Sequence, residues 1–424
     1  VKGSGLLSAD SGVVDNSTMG SGGRISVTWN AALQDALDAQ EGGTPALRFS
    51  ARSKDNTNGT RSHGKPGTVY FTDARLLGEE FSPVRGVSCG EIHCGDWSQW
   101  NPQSLTVSNA WVRFIDGPVT NLNLSGALAV RGRNATLEIG GGEFLLDNKN
   151  SLCGATPGLL EWSPHPVRLK AGSLDLGDGA CLAFYTGATN GAGAARSEFE
   201  IAGALAVGAN ADFLVTCHPT NGAVTRIAAG SLAVTAGGRI ESAAYGYVGY
   251  QRGLGPGNAG ADGSRGGAYG GTTFQNGVGD FHLSGLPYGD AAAPVHPGTG
   301  GGRGNVNTDH GGSGGGVVWI EVAGHAEVNG TLDASGRWQL GNSSGTGSGG
   351  SVYLKGASVA GAGLLKADSG ASQGGTGGGG GGRIAVVYDT TAQAALPLPG
   401  IAYAANGGAS TGAAIGSTIR SPSA

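Results

Sequence analysis

Charge, methionine and the straight-chain helix formers are all scarce in this 424-residue chain. Charged residues make up 13% and methionine occurs once. Runs of Leu, Glu and Lys are nearly absent, so most windows oppose helix and favour strands with tight turns. The formal net charge is −5, and its scattered arginines form no basic stripe of the kind nucleic acid requires. No stretch approaches the ~20 apolar residues of a membrane span. A nucleic-acid partner and membrane insertion are therefore not expected. The Walker-type glycine loop is missing, as are an EF-hand loop and the serial glycine-aspartate nonapeptides that hold calcium. No cofactor and no metal are expected.

Cysteine is also sparse, at five residues. Cys89 and Cys94 flank GEIH and are expected to close a small disulfide loop. Cys153 and Cys217 hold matching places in an internal duplication, and Cys153 faces either Cys217 or Cys181 if the chain is secreted. Buried free thiols are the alternative. A zinc site at Cys89, Glu91, His93 and Cys94 is disfavoured, because adjacent ligands with no second pair do not make a tetrahedron. Asp10, Asp262, Asp333 and Asp368 sit beside Ser or Gly and read as turn residues rather than calcium ligands.

What the chain has in abundance is glycine, 85 residues of it, set beside short β-branched runs. It lacks the every-third spacing of collagen. It also contains one block twice: GSGLLSADSG at 3–12 returns as GAGLLKADSG at 361–370. GSGGRISVTWNAALQDAL at 20–37 returns as GGGGRIAVVYDTTAQAAL at 379–396, one residue further along. Between 121 and 234, SGALAV, Cys153 and RLKAGSLDL are echoed by AGALAV, Cys217 and RIAAGSLAV. Long-range self-similarity of this kind marks repeat architectures.

The short strands alternate inward and outward and are separated by Gly, Asn or Asp, while two-residue hairpin signals are scarce. The fold is expected to be an all-β parallel β-helix, or β-solenoid, with long Gly-rich loops. One elongated body over 1–424 is expected. N-terminal coils occupy 1–75, repeated in 361–424, and an insertion with Cys89, Cys94, Trp97 and Trp100 follows at 76–120. Duplicated central coils fill 121–244, a Gly-rich flap anchored by Tyr and Phe covers 245–315, and C-terminal coils take 316–424. Ile25, Val27, Leu128, Val130, Leu174, Leu232, Val317, Ile320, Leu354, Ile384 and Val386 are the expected inward ladders.

The succession GGSGGGVVWIEVAGHAEVNGTLDASG, GGSVYLKGASVAGAGLLKADSG and GGTGGGGGGRIAVVYD, with YGDAAAPVHPGTGGG ahead of it, resembles glycine-rich parallel β-helix repeat segments of large secreted and cell-surface proteins. The resemblance covers about 237–420 and, permuted, 1–71. It implies an extracellular location and a structural or adhesive use, and brings no catalytic residues with it.

Polysaccharide cleavage needs two carboxyls across a groove. The strand acids Glu138, Glu143, Asp147, Asp175, Asp178, Glu198, Glu200 and Glu321 form no dense cluster in sequence, so enzyme activity is not expected and a polysaccharide-cleaving β-helix ranks third. Trp97 and Trp100 are candidates for glycan contact, which makes a carbohydrate-binding or adhesive module the runner-up. The favoured expectation is an extracellular structural subunit that stacks end to end with copies of itself into a fibre or surface layer. Its expected assembly residues are Leu6, Leu7, Ile25, Val27, Ile384, Val386 and Tyr388. Cell-surface polysaccharide is the other expected partner.

Overall fold

A computed structural model describes residues 1–12, 20–43, 45–53, 66–95, 100–114, 121–140, 166–187, 197–249, 253–257, 265–274, 283–302, 311–338, 344–371, 377–408 and 417–423. The protein is all-β, 41% strand and 6% helix, with long parallel sheets. It divides into two compact units, one of residues 1–163 and 167–183, the other of 164–166 and 184–424.

In the first unit, one sheet runs Leu6–Ser8, Arg48–Ser50, Gly86–Cys94, Trp111–Phe114, Thr136–Ile139, with Arg24–Val27 and Thr68–Phe71 joined to it through Gly86–Cys94. A second sheet contains Glu80–Phe81, Leu105–Ser108, Ala127–Arg131 and Ser173–Leu176 in that order. In the second unit, Asp212–Val215, Arg239–Glu241, Thr331–Asp333, Leu364–Lys366 and Ala402–Ala404 form one run. Ser197–Val207, Thr225–Val234, Val317–Val322, Ser351–Gly356, Arg383–Asp389 and Ser417–Ser423 form the other. The chain alternates between the two runs, and each strand lies parallel to its counterpart from the previous pass.

Parallel register stacks like side chains on one another. Phe199, Ile227, Ile320, Leu354 and Val386 follow in register across five strands, and each is fully buried. Leu105, Leu128 and Leu174 do the same in the first unit. All the ladder residues read from the sequence are buried. Each large side chain so placed contributes roughly 1.5–3 kcal/mol before chain entropy is subtracted. Turns between passes use residues that tolerate a left-handed backbone, such as Asn210 at φ 55° between Ser197–Val207 and Asp212–Val215.

The second unit has another kind of interior, made of glycine. Residues 246–249, 266–271, 298–302, 311–316, 344–350 and 377–382 run as rows outside any strand, and nearly all of them are buried. Along 345–350, successive N–H groups donate to the carbonyls of Gly302, Gly377, Arg337, Thr299, Gly380 and Ala334. The first and fourth reach the row 298–302, the second and fifth the row 377–382, the third and sixth the stretch 334–337. A direction that recurs every third residue belongs to a row with three residues per turn, whereas in a sheet it recurs every second. Each row therefore bonds in several directions instead of two, and the array is three-dimensional.

At most positions of these rows only glycine fits. A Cβ on Gly315 would fall inside the carbonyl oxygen of Ala334, and one on Gly349 inside that of Ala367. Some of the side chains that enter, beside Val248 and Ala268, carry hydroxyls that accept from the rows: Thr299 N donates to Ser348 Oγ, and Gly379 N to Thr346 Oγ1. Two tyrosines flank it, their ring centroids 4.7 Å apart. Tyr269 is fully buried, its hydroxyl 2.6 Å from Ser351 Oγ, with the Arg383 guanidinium 5.5 Å from its ring centre. Tyr288 bonds Thr299 Oγ1 at 3.0 Å. In the described parts of 245–315 backbone bonds and two tyrosines make the contacts, while Tyr250 and Phe281 lie outside the described residues.

Gly349→Ala is expected to destabilise the protein by about 3 kcal/mol, the upper range for forced overpacking. Gly5→Ala, where a methyl meets open space, is expected to change little. Paired thermal melts of the two variants test the assignment of the rows as a packed interior.

Candidate functional site

The duplicated block folds alike in both places, down to single side chains. Asn30 and Asp389 each cap a helix, Ala31–Glu41 and Thr390–Gln393 respectively. In each helix one glutamine is buried, Gln34 and Gln393. Gln34 accepts from Val1 N at 2.7 Å and donates to Val1 O at 2.8 Å. Gln393 treats Val359 the same way, at 2.8 and 3.0 Å. The amide imitates a strand partner for one residue. Asp10 takes Arg52 N at 2.6 Å, and Asp368 takes Asn406 N at 2.7 Å. Gly23 N donates to Ala9 O and Gly382 N to Ala367 O, which closes the neck of each glycine-rich excursion.

The two copies differ in what lies on one side of them. Leu364–Lys366 has Thr331–Asp333 on one edge and Ala402–Ala404 on the other. Its equivalent Leu6–Ser8 pairs with Arg48–Ser50, and among the described residues no strand lies on its other edge. Arg383–Asp389 likewise lies between Ser351–Gly356 and Ser417–Ser423, whereas Arg24–Val27 pairs with Thr68–Phe71 alone among the described residues. Leu6 is 52% exposed, and Ile25 and Val27 are buried. The candidate site is the first block itself: strands 6–8 and 24–27, which pair on one edge only among the described residues, with the glycine row 20–23 between them.

Three expectations drawn from the sequence need correction. Ile384, Val386 and Tyr388 are buried between neighbouring strands and offer no edge, because Ser417–Ser423 pairs along their whole length. The proline in that strand hides it from a sequence reading, yet prolines are tolerated at sheet edges. Cys89 and Cys94 occupy a single strand, Gly86–Cys94. At ~3.3 Å per residue their Cα atoms are roughly 16 Å apart, beyond the reach of a disulfide. Trp100 is 6% exposed and packs on Phe81 and Phe114 at 6.1 and 5.5 Å, so it shows no face to a sugar. Trp97 and Cys153 lie outside the described residues.

Carboxylates do gather, in a pattern the sequence does not show. Arg113 lies between Glu138, at 2.9 Å, and Glu91, at 3.3 Å, while Trp111 Nε1 donates to Glu138 at 2.7 Å. His93 meets Glu91 at 2.7 Å. In the second unit Arg226 lies between Glu321, at 2.7 Å, and Glu198, at 3.5 Å, and Trp319 Nε1 donates to Glu321 at 2.9 Å. The same Glu-Arg-Glu clamp with a tryptophan donor thus occurs twice, each time across adjacent passes. Such recurrence fits a device that joins passes better than a single catalytic pair. Among the described residues no group of three or more His, Cys, Asp or Glu is placed to hold a metal. Asp333 accepts from Ser335 N at 2.8 Å, a turn-forming contact.

Scans against family models, curated proteins and solved structures found no match to this chain.

Cys217 is a fully buried free thiol beside Val317 and Ser242, and burial pushes its pKa up to about 12. It is expected to resist alkylation in the native protein at neutral pH and to react only on unfolding. Mass spectrometry after native and denatured labelling checks this.

Burial alone would raise the pKa of Glu321, but the hydrogen bonds from Arg226 and Trp319 outweigh it and the net shift is downward. The clamp's stabilisation is therefore complete above the ordinary glutamate value of 4.5 and is lost as pH falls through the depressed one. Melting temperature is expected to fall more steeply below that pH in the wild type than in Glu321→Gln. Melts across an acid series measure the difference.

Proposed function

We propose that this chain is an extracellular structural protein, a β-solenoid subunit that stacks end to end with copies of itself. The observation that carries the reading is the duplicated block, whose two copies share their caps, their glutamine pairing and their excursion necks. A repeat element of this kind is stable when stacked against neighbours, and copies of one repeat are suited to stack on one another.

The solenoid reading is supported by the chain's alternation between two parallel runs and by in-register ladders of like residues. A head-to-tail contact of unlike surfaces propagates instead of closing, unless its rotation happens to complete a ring. Filaments or a layer are the natural products. The secreted or cell-surface location rests on the resemblance of 237–420 and 1–71 to repeat segments of such proteins. The carbohydrate-binding alternative ranks behind, since Trp100 is part of the core.

Sedimentation velocity and negative-stain microscopy of the purified chain test the reading. Concentration-dependent filaments with a spacing between passes of about 4.8 Å in a density map are expected. A folded, monodisperse monomer over a wide concentration range would overturn it.

A further inference from the structure

Six Asn-x-Ser/Thr triplets, the acceptor pattern for N-linked glycans, begin at residues 16, 58, 123, 134, 329 and 342. Asn16, Asn58 and Asn342 lie outside the described residues. The fold treats the other three differently. Asn329 is exposed, but its amide joins two passes: Nδ2 donates to Glu327 Oε1 at 2.8 Å, and Oδ1 accepts from Ala362 N at 3.1 Å. Asn123 is half-buried in strand Asn121–Asn123, opposite Lys170 of the neighbouring strand, and its Nδ2 lies 3.4 Å from Asn101 Oδ1. Asn134 is exposed, and among the described residues its side chain has no hydrogen-bond partner.

A tight turn holds Asn134 in that position. Ala135 N donates to Gly132 O at 2.8 Å, which closes a four-residue turn with Asn134 third. The turn joins Ala127–Arg131 of one sheet to Thr136–Ile139 of the other. Ala135 is 1% exposed and anchors it. The passes on either side are already in place, since Thr136 N donates to Ala110 O and Cys181 N to Ala135 O. A branched sugar on the Asn134 amide therefore displaces no strand partner and breaks no side-chain bond. Thr136, whose hydroxyl completes the triplet, opens the following strand and is half-buried.

We propose that Asn134 is an N-glycan acceptor, modified as the chain enters the secretory pathway. The proposal rests on the extracellular reading above and adds a site to it. In the transfer, the Asn134 amide nitrogen bonds to the anomeric carbon of a lipid-linked oligosaccharide pyrophosphate. The bond from that carbon to the pyrophosphate breaks, the lipid pyrophosphate leaves, and the amide gives up one proton. The glycan so placed is bulky and solubilising, as suits a surface turn.

The test expresses the full chain behind a secretion signal in a eukaryotic cell line and analyses cell-retained and secreted material alike. Glycopeptide mass spectrometry is expected to find a glycan on Asn134, and enzymatic release to leave an aspartate there. Thr136→Ser is expected to keep the glycan. Thr136→Val, which retains a β-branched residue in the strand, is expected to lose it, as is Asn134→Gln. An unmodified Asn134 in the wild-type chain overturns the proposal and leaves the extracellular reading standing. Fractionation of the source cells tests that reading apart, and a chain confined to the cytosol overturns it together with this site.

Discussion

Every backbone N–H buried in the second unit must find an acceptor, and in the glycine rows it must do so without a sheet. That requirement governs much of the architecture. A row with three residues per turn presents donors in three directions, so each needs several neighbours, and those neighbours must approach closer than any side chain allows. Glycine is the residue that removes the obstacle, at a conformational entropy cost of roughly 0.5–1 kcal/mol relative to alanine. The parallel strands begin where the rows end: 316 leads into Val317, 350 into Ser351, 382 into Arg383. The rows thus set the strands' starting points, and the apolar ladders follow in register.

Two further devices hold successive passes together. Inside, like residues stack, as in the ladder from Phe199 to Val386. On the other face, Arg113 and Arg226 each bridge glutamates of neighbouring strands, with an indole N–H fixing one carboxylate. The Arg113 clamp is almost wholly buried, at 3% exposure for the arginine side chain. A buried clamp of this kind contributes little net stability against an apolar substitute, but it penalises any register that would leave one charge unpaired. In a parallel sheet with repetitive sequence, where slippage is the standing hazard, that selectivity is useful.

The alternation of apolar residues and the echo between the two blocks were legible in the sequence because both depend on side chains. Ile320, Leu354 and Val386 declare their inward face by period alone. The glycine rows were not legible in the same way. Composition announces that glycine is abundant, but the partner of each N–H is set by rows far apart in the chain, such as Gly267 with Thr346. Cys89 and Cys94 misled because five residues look like a loop until the strand beneath them is known. Trp100 misled because an indole near a polar run is as ready to fill a core against Phe81 as to meet a sugar. The glutamate clamps escaped notice because Arg226 and Glu321 are close only after a long excursion intervenes.

The necks of the excursions have a consequence for how such a chain changes over evolutionary time. The same bond closes Ala9 to Gly23, Ala51 to Gly67, Ser242 to Gly316, Ala334 to Gly350 and Ala367 to Gly382. The lengths enclosed differ widely, and the longest holds most of the glycine array. Within that array the row 298–302 runs antiparallel to 311–316, while 344–350 runs parallel to 377–382, and both pairings bond at every third residue. Rows of this kind accept a neighbour of either direction. Insertions between one neck and its closing glycine can therefore lengthen the array while the strand register stays unchanged, so the lineage can vary its outer bulk independently of its inner frame.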